Sequence, residues 1–264
     1  MLLRNLPHIP RAALLAVSLL YLLYPAPAPA ADATAIMQAV YNRADGEDRT
    51  STMTMTLENK QGRQRVRTLE SYSKDYGQDR KSMMIFQAPA DVKGTMYLSW
   101  EYDDPTREDD KWLYMPAVKK DRRISGTSRN EYFMGSDFTY DEMDRRHPSK
   151  DRYTLLGEEQ FLGFACWKIE AIPLEPETYA KRILLVGKEA ELILKGEYFD
   201  KDGLLKVFEA KEVRKIDNFW TMTISQMTNT AREHKTILHT KDMKYNRGLD
   251  DALFTVSTLQ RGRI

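Results

Sequence analysis

The feature that most constrains this fold is a long series of short segments in which apolar and polar residues alternate. In TSTMTMTLEN, threonines alternate with Met53, Met55 and Leu57, and a period of two is typical of a strand with one buried face. About ten or eleven such segments follow one another at roughly even spacing, joined by short turns such as DKDG at 200–203. The series predicts a mainly β antiparallel meander, and a sheet of this length must coil strongly or close.

One clear helical pattern precedes the strands. Ile36, Ala39 and Val40 form an apolar stripe within residues 33–42, and Asp32 can cap the N-terminus of this helix. Near the other end of the chain, LDDALF predicts a single helical turn. Strands and helices do not alternate, so a parallel βαβ architecture is excluded and one domain is the simplest organisation.

Residues 1–30 have the pattern of a signal peptide. Arg4 and Arg11 precede an apolar run, residues 12–23, that is shorter than the roughly 20 residues of a membrane span, and Ala28 and Ala30 fit a small-residue cleavage site. We therefore expect cleavage after Ala30, export to the periplasm and a working domain of residues 31–264. An uncleaved anchor is the alternative interpretation of the same run.

Composition excludes several classes of protein. The chain has 40 Lys and Arg residues against 39 Asp and Glu residues, so no nucleic-acid partner is expected. Cys166 is the single cysteine, which excludes a disulfide framework. Stability must therefore come from a large conventional core.

The chain offers no recognisable catalytic motif. His147, His234 and His239 follow the leader, and the last two are five residues apart on a predicted strand, so they point to opposite faces. The acidic stretch EYDDPTREDD at 101–110 does not have the spacing of a calcium loop. We expect no enzyme activity, no metal and no cofactor.

Methionine is unusually frequent in the predicted strands. The chain has 13 Met residues, and this unbranched side chain suits surfaces that repack around varied apolar partners. Two interpretations stay open: an ordinary Met-rich core, or a pocket lined by adaptable side chains.

The stretch RNEYFMGSDFTYDEMD at 129–144 is rich in aromatic residues but has no strand or helix period. A basic stretch, KKDRRISGTSR, precedes it and predicts either a solvated strand edge or a cationic rim that meets headgroups or an acidic partner. The aromatic residues are buried if the segment folds over the sheet, or they anchor a partner protein.

The segment KWLYMPAVKKDRRISGTSRNEYFMGSDFTYDEM resembles the LolA-like outer-membrane lipoprotein-sorting proteins, and most closely the branch found beside RND-type (MMPL-like) exporters. EYFDKDGLLKVFEAKEVRKIDNFW and HKTILHTKDMKYNRGLDDALF extend the resemblance over nearly the whole chain after the leader. The resemblance implies a strongly curved antiparallel half-barrel, with an N-terminal helix and a lid-like loop over an apolar cavity.

The resemblance and the strand pattern together suggest the site residues. We expect lipid contacts from apolar side chains of the strands: Met53, Met55, Met83, Ile85, Met96, Leu98, Trp100, Trp112, Tyr114, Met222 and Ile224. We expect the lid or partner loop to use residues of the matching motif: Arg122, Arg123, Phe133, Met134, Gly135, Asp137, Phe138 and Tyr140.

The resemblance implies carriage and not catalysis. We expect a monomeric periplasmic carrier that shields the acyl chains of a lipid or lipoprotein between the inner and outer membranes and works with an RND/MMPL-type transporter. The alternative is a non-carrying accessory protein of an envelope transporter, whose interior is solid core. The two differ in one property, the presence of a cavity that holds lipid.

Overall fold

The computed structural model describes residues 31–262, and the predicted signal peptide, residues 1–30, lies outside the described residues. Within residues 31–262, thirteen strands form one sheet. In chain order the strands are β1 (Asp48–Glu58), β2 (Gln64–Tyr76), β3 (Asp79–Ala88), β4 (Met96–Glu101), β5 (Asp110–Met115), β6 (Lys120–Ile124), β7 (Asp151–Phe161), β8 (Phe164–Pro173), β9 (Lys181–Gly187), β10 (Leu192–Asp200), β11 (Gly203–Ile216), β12 (Phe219–Asn229) and β13 (His234–Tyr245).

The sheet consists of two meanders joined in the middle. Strands β1 to β6 run outward to the edge strand β6, and strands β7 to β13 run inward from the other edge strand, β7. The meanders meet where β1 pairs antiparallel with β13, with Met55 opposite Leu238. Within the described residues β6 and β7 do not pair with each other, so the sheet stays open. The predicted mainly β, curved antiparallel half-barrel is confirmed.

The predicted N-terminal helix is confirmed as α1 (Ala33–Asn42). Asp32 caps it, because its carboxylate accepts a hydrogen bond from the Thr34 backbone N–H at 2.9 Å. The apolar stripe of α1 packs on β8 and β9, where Ile36 and Met37 belong to the same buried cluster as Leu184. The helix therefore covers one face of the second meander.

Residues 125–150, which we call the crossing segment, connect the two edge strands. It contains short 3₁₀ turns at Gly126–Asn130, Phe133–Gly135, Asp141–Met143 and Pro148–Lys150. We call the face of the sheet that contacts α1 or the crossing segment the inner face. On the first meander the rings of Phe133 and Tyr140 are buried in this face together with Phe86 and Tyr97.

The C-terminal segment, residues 246–262, covers the opposite, outer face of the first meander. It contains the predicted helical turn, confirmed at Asp251–Phe254, and a further short helix, α2 (Val256–Arg261). Phe254 and Leu259 are fully buried against β3 and β4, and the Trp100 indole N–H donates to the Phe254 carbonyl at 2.9 Å. Both faces of this meander are thus covered by the chain itself.

Candidate functional site

A cavity of about 400 Å³ lies on the inner face of the second meander. Its walls are α1, strands β7 and β9 to β12 and the crossing segment, and Arg49 of β1 and Arg80 of β3 line its border. This volume lies within the range of roughly 300–1,000 Å³ that is typical of small-molecule sites. The cavity is therefore the candidate functional site of the described residues.

The deep part of the cavity is apolar. Helix α1 contributes two apolar residues, strand β10 two adjacent ones, strands β9, β11 and β12 one each, and the crossing segment one aromatic ring. The apolar lining consists of Met37, Val40, Phe138, Leu184, Leu192, Ile193, Phe208 and Met227. A surface of this chemistry favours hydrocarbon over water.

A glycine on β10 shapes the wall of the cavity. A Cβ at Gly196 would lie 2.9 Å from Cε2 of Tyr198 and 3.4 Å from Cδ2 of Leu184. Because real Cβ contacts are rarely that short, the missing side chain allows both lining residues to lie against the strand. The Tyr198 ring then meets Tyr179 edge to face, with ring centroids 5.1 Å apart.

The first charged group on the cavity rim is built around Asp45, which follows α1. Its carboxylate accepts hydrogen bonds from Arg80 at 2.8 and 3.1 Å and pairs with Arg49 and, at 3.4 Å, with Arg43. Burial alone would raise the pKa of Asp45, but the three guanidinium groups lower it to about 2. Asp45 is therefore a permanent anion surrounded by cations.

The second charged group lies where the crossing segment joins β7. Asp151 accepts hydrogen bonds from Arg146 at 2.6 and 2.7 Å, and Arg182 and Glu177 complete the group. Asp151 and Arg182 are buried and Arg146 is half-buried. The group fixes the end of the crossing segment against β9 and forms a polar border of the cavity.

The third charged group joins the crossing segment to the first meander. Lys111 is fully buried, with its Nζ 2.6 Å from the Asp144 carboxylate, and Glu101 accepts hydrogen bonds from the Arg145 backbone N–H and Nε at 3.0 and 3.3 Å. Burial and then the neighbouring Asp144 raise the pKa of Glu101 to about 7. The charge of this group therefore changes near neutral pH.

The middle of the crossing segment is held at Asp137, whose side chain is fully buried. Its carboxylate accepts a hydrogen bond from the Thr236 hydroxyl at 2.7 Å and lies 2.6 Å from Nδ1 of His234. The Asp137 backbone N–H also donates to the Thr236 oxygen at 2.9 Å. Polar contacts to β13 thus keep the neighbouring Phe138 ring at the cavity.

Comparison with known proteins identifies the family of this chain. A family model described as "Uncharacterized protein" matches residues 78–261. A DUF1329 family protein from Desulfovibrio piger is 31% identical, with a TM-score of 0.81 over 86% of this chain and 97% of that chain. A domain from Vibrio parahaemolyticus named for outer membrane lipoprotein sorting is 32% identical, with a TM-score of 0.80 over 87% of this chain and 98% of that chain. The chain belongs to the LolA-like family.

More distant comparisons agree with this assignment in fold. A LolA superfamily protein from Nitrosomonas europaea has the same fold at 20% identity, with a TM-score of 0.67 over 87% of this chain and 100% of that chain. No protein of curated function matches the chain. The LolA-like resemblance predicted from the motif at 111–143 is confirmed, and with it a carrier-type fold.

None of the strand residues predicted to contact lipid lines this cavity. Met53 and Met55 lie on the inner face of β1, against the filled core of the first meander. Met222 packs beside Trp220 in a separate cluster, and Ile224 is half-buried further along β12. The others pack on the outer face beneath the C-terminal segment: Met83, Ile85, Met96, Leu98, Trp100, Trp112 and Tyr114. Their contact with lipid stays a prediction.

The predicted lid residues also separate into groups. Phe138 lines the cavity, whereas Phe133 and Tyr140 fill the core of the first meander. Met134 and Gly135 form a tight turn with positive φ of 48° and 75°, and Asp137 anchors the segment. Arg122 and Arg123 are exposed on β6, where they pair with Glu131 and Asp110.

Sequence reasoning missed most of the lining. The arginines of the rim follow α1 in NRADGEDR, stand singly in strands, or are the adjacent Arg145 and Arg146 of the crossing segment, and none of these arrangements has a periodic signal. Tyr179 and Tyr198 come from a loop and a strand that the chain separates by about twenty residues.

Among residues 31–262, no helix is long and apolar enough to cross a membrane. In the same range, no three His, Cys, Asp or Glu side chains are grouped as a metal site.

Proposed function

We propose that this protein is a monomeric periplasmic carrier that shields the acyl chain of a lipid or lipoprotein in transit between the inner and outer membranes. The observation that carries the proposal is the cavity beside α1, with its apolar depth and charged rim. An amphiphile fits this arrangement, because its chain is placed among Met37, Phe138 and Leu184 while its polar end stays near the rim. The relative from Vibrio parahaemolyticus, named for lipoprotein sorting, supports the same class of cargo.

Apolar burial alone can hold an acyl chain in such a site. Each buried CH₂ group contributes about 0.8 kcal/mol of transfer free energy, so an acyl chain is held without any covalent chemistry. Release then requires an acceptor that binds the chain better or a partner that changes the protein. An RND-type transporter fits this second role, and that part of the proposal rests on the sequence resemblance.

The test is to fill the cavity from α1. Val40 lines the cavity and is half-buried, so Val40→Trp is expected to occupy the space at little cost in folding. Val118→Trp is the matched control, because Val118 is 54% exposed on the turn between β5 and β6 and lies outside the lining. Native mass spectrometry of the purified proteins should show bound acyl species in the wild type and the control but not in Val40→Trp.

Two results would contradict the proposal. Wild-type protein that is empty as purified, and that does not take up a fluorescent fatty acid, would favour a non-carrying accessory protein. Equal lipid loading of Val40→Trp and wild type would place the lipid outside this cavity.

A further inference from the structure

The charge around Asp45 is not balanced. Three guanidinium groups, those of Arg43, Arg49 and Arg80, converge on this carboxylate. One further carboxylate, Asp75, accepts hydrogen bonds from Arg80 at 2.6 and 3.1 Å. Among the side chains that pair directly through Asp45 and Arg80, three cations therefore face two anions, so this group has a local excess of positive charge.

Arg80 and the other two arginines have different surroundings. Arg80 is 4% exposed, and its guanidinium makes four hydrogen bonds, two to Asp45 and two to Asp75. It serves as the buried support of Asp45. Arg43 and Arg49 are 23% and 25% exposed and line the cavity.

Arg43 and Arg49 have spare hydrogen-bond donors. Arg43 donates to the Trp220 carbonyl and to Asp45, both at 3.4 Å, and Arg49 donates to Asp45. A guanidinium has five N–H donors, so within the described residues most donors of this pair make no hydrogen bond to protein. Such donors favour a planar or tetrahedral oxyanion, which arginine binds through paired hydrogen bonds.

The position of the pair relates it to the apolar part of the cavity. Arg43 directly follows the last residue of α1, three positions after Val40, and both residues line the same space. A ligand with its chain beside Val40 can therefore place its polar end at the arginines. Burial lowers the pKa of Arg43, although Asp45 opposes the shift, so a further anion would compensate a charge that is costly to bury.

We propose that Arg43 and Arg49 form a headgroup subsite for a carboxylate or phosphate, and that the cargo is an anionic single-chain or phospholipid amphiphile. This inference rests on the proposed carrier function, since it assumes that an acyl chain occupies the cavity. It narrows the range of possible cargoes to anionic ones, because a neutral acyl ester would leave the arginines without an anionic partner.

The test compares three ligands with one chain length. Delipidated full-length protein is titrated with tetradecyl phosphate, tetradecanoate and tetradecanol at pH 8 and low salt. The two anions are kept below their critical micelle concentrations and the alcohol below its solubility limit. The wild type is expected to bind one or both anions at least about tenfold more tightly than the alcohol, with a preference that decreases as salt is added. The better of the two anions indicates whether the natural headgroup is phosphate or carboxylate.

Two double variants test which residues cause the preference for the anions over the alcohol. Arg43→Gln/Arg49→Gln should bind all three ligands with nearly equal affinity while its affinity for tetradecanol stays unchanged. Arg63→Gln/Arg65→Gln removes the same charge from two exposed positions, one just before β2 and one at its start, outside the cavity. This variant should keep the wild-type preference for anions. Loss of preference in this control as well would overturn the subsite in favour of general attraction by the surface.

The outcomes separate the two proposals, even if the cavity variant does not fold. Wild-type protein that binds the alcohol and both anions equally overturns the headgroup subsite but supports the carrier. Wild-type protein that binds none of the three overturns the carrier function itself.

Discussion

The two meanders of the sheet bury their inner faces in different ways. On the first, the crossing segment inserts Phe133 and Tyr140 among residues of β3 and β4, with the Phe133 ring centroid 5.2 Å from that of Tyr97 and 5.4 Å from that of Tyr140. On the second, α1 covers the face and leaves a cavity of about 400 Å³ beside it. One half is filled and the other is hollow, although the same kind of sheet forms both.

The difference follows from the shape of the cover. An irregular segment can follow a curved sheet closely and direct successive side chains into it. A helix is a stiff cylinder roughly 10 Å wide, so on a concave surface it makes contact along one stripe and leaves space at its side. The filled half supplies stability, and the hollow half leaves the space in which the proposed cargo would bind.

The largest expected effect tests the assignment of Met96 to the filled half. Met96 is fully buried beside Phe254 and Leu259 on the outer face. Met96→Asp would bury an unpaired carboxylate, and we expect it to lower the free energy of unfolding by more than about 4 kcal/mol, as measured by urea titration. Val118→Asp on an exposed turn should change it little. A stable Met96→Asp protein that no longer binds lipid would instead place Met96 in a lipid site.

The next largest expected effect is a difference in unfolding free energy between alanine variants of two phenylalanines, which lie five positions apart in the crossing segment. Phe133→Ala removes a fully buried ring from the filled half, so a loss of about 3–5 kcal/mol in unfolding free energy is expected. Phe138→Ala should cost at least about 1 kcal/mol less, because one side of that ring already faces the cavity. Lipid affinity should fall only for Phe138→Ala. Equal stability losses, with unchanged binding in both, would remove the distinction between the halves.

The fold was largely predictable because its signals are local. Alternation in TSTMTMTLEN, the DKDG turn and the stripe of Ile36 and Val40 each depend on neighbouring residues, and the structure confirms the elements they predict. The short helix α2 was not predicted, because VSTLQR is only six residues long and its one buried apolar residue, Leu259, gives no period.

The candidate site was much less predictable. Met83, Met84, Ile85 and Phe86 are buried in succession, so alternation cannot indicate which of them faces a cavity. The choice depends on what covers each face, and those covers are α1, the crossing segment and the C-terminal segment, which are distant in sequence. Met-rich strands therefore indicated an apolar interior but not the part of it that is hollow.

The smallest expected effect is on the pH dependence of the unfolding free energy. It concerns the boundary between the halves, where Arg145 of the crossing segment contacts Glu101 of β4. Burial and the Asp144 carboxylate raise the pKa of Glu101 from 4.5 to about 7, while Arg145 and Arg80 oppose the shift. A raised carboxyl pKa means that the folded state binds a proton more tightly than the unfolded state. Its stabilising contribution is complete below about pH 4.5 and is lost as the pH rises through about 7.

We therefore expect the unfolding free energy of the wild type to decrease by about 2 kcal/mol from this group between pH 5 and pH 8. Glu101→Gln cannot ionise but keeps an oxygen that accepts from Arg145, so its decrease should be smaller than that of the wild type. Glu131→Gln is the control, because hydrogen bonding to Arg122 lowers the pKa of Glu131, which therefore titrates below this range.

Parallel pH profiles for Glu101→Gln and wild type would show that the boundary carries no proton near neutral pH. A flatter profile, with lipid retained better at pH 8, would show that the charge at this boundary influences lipid binding in the hollow half.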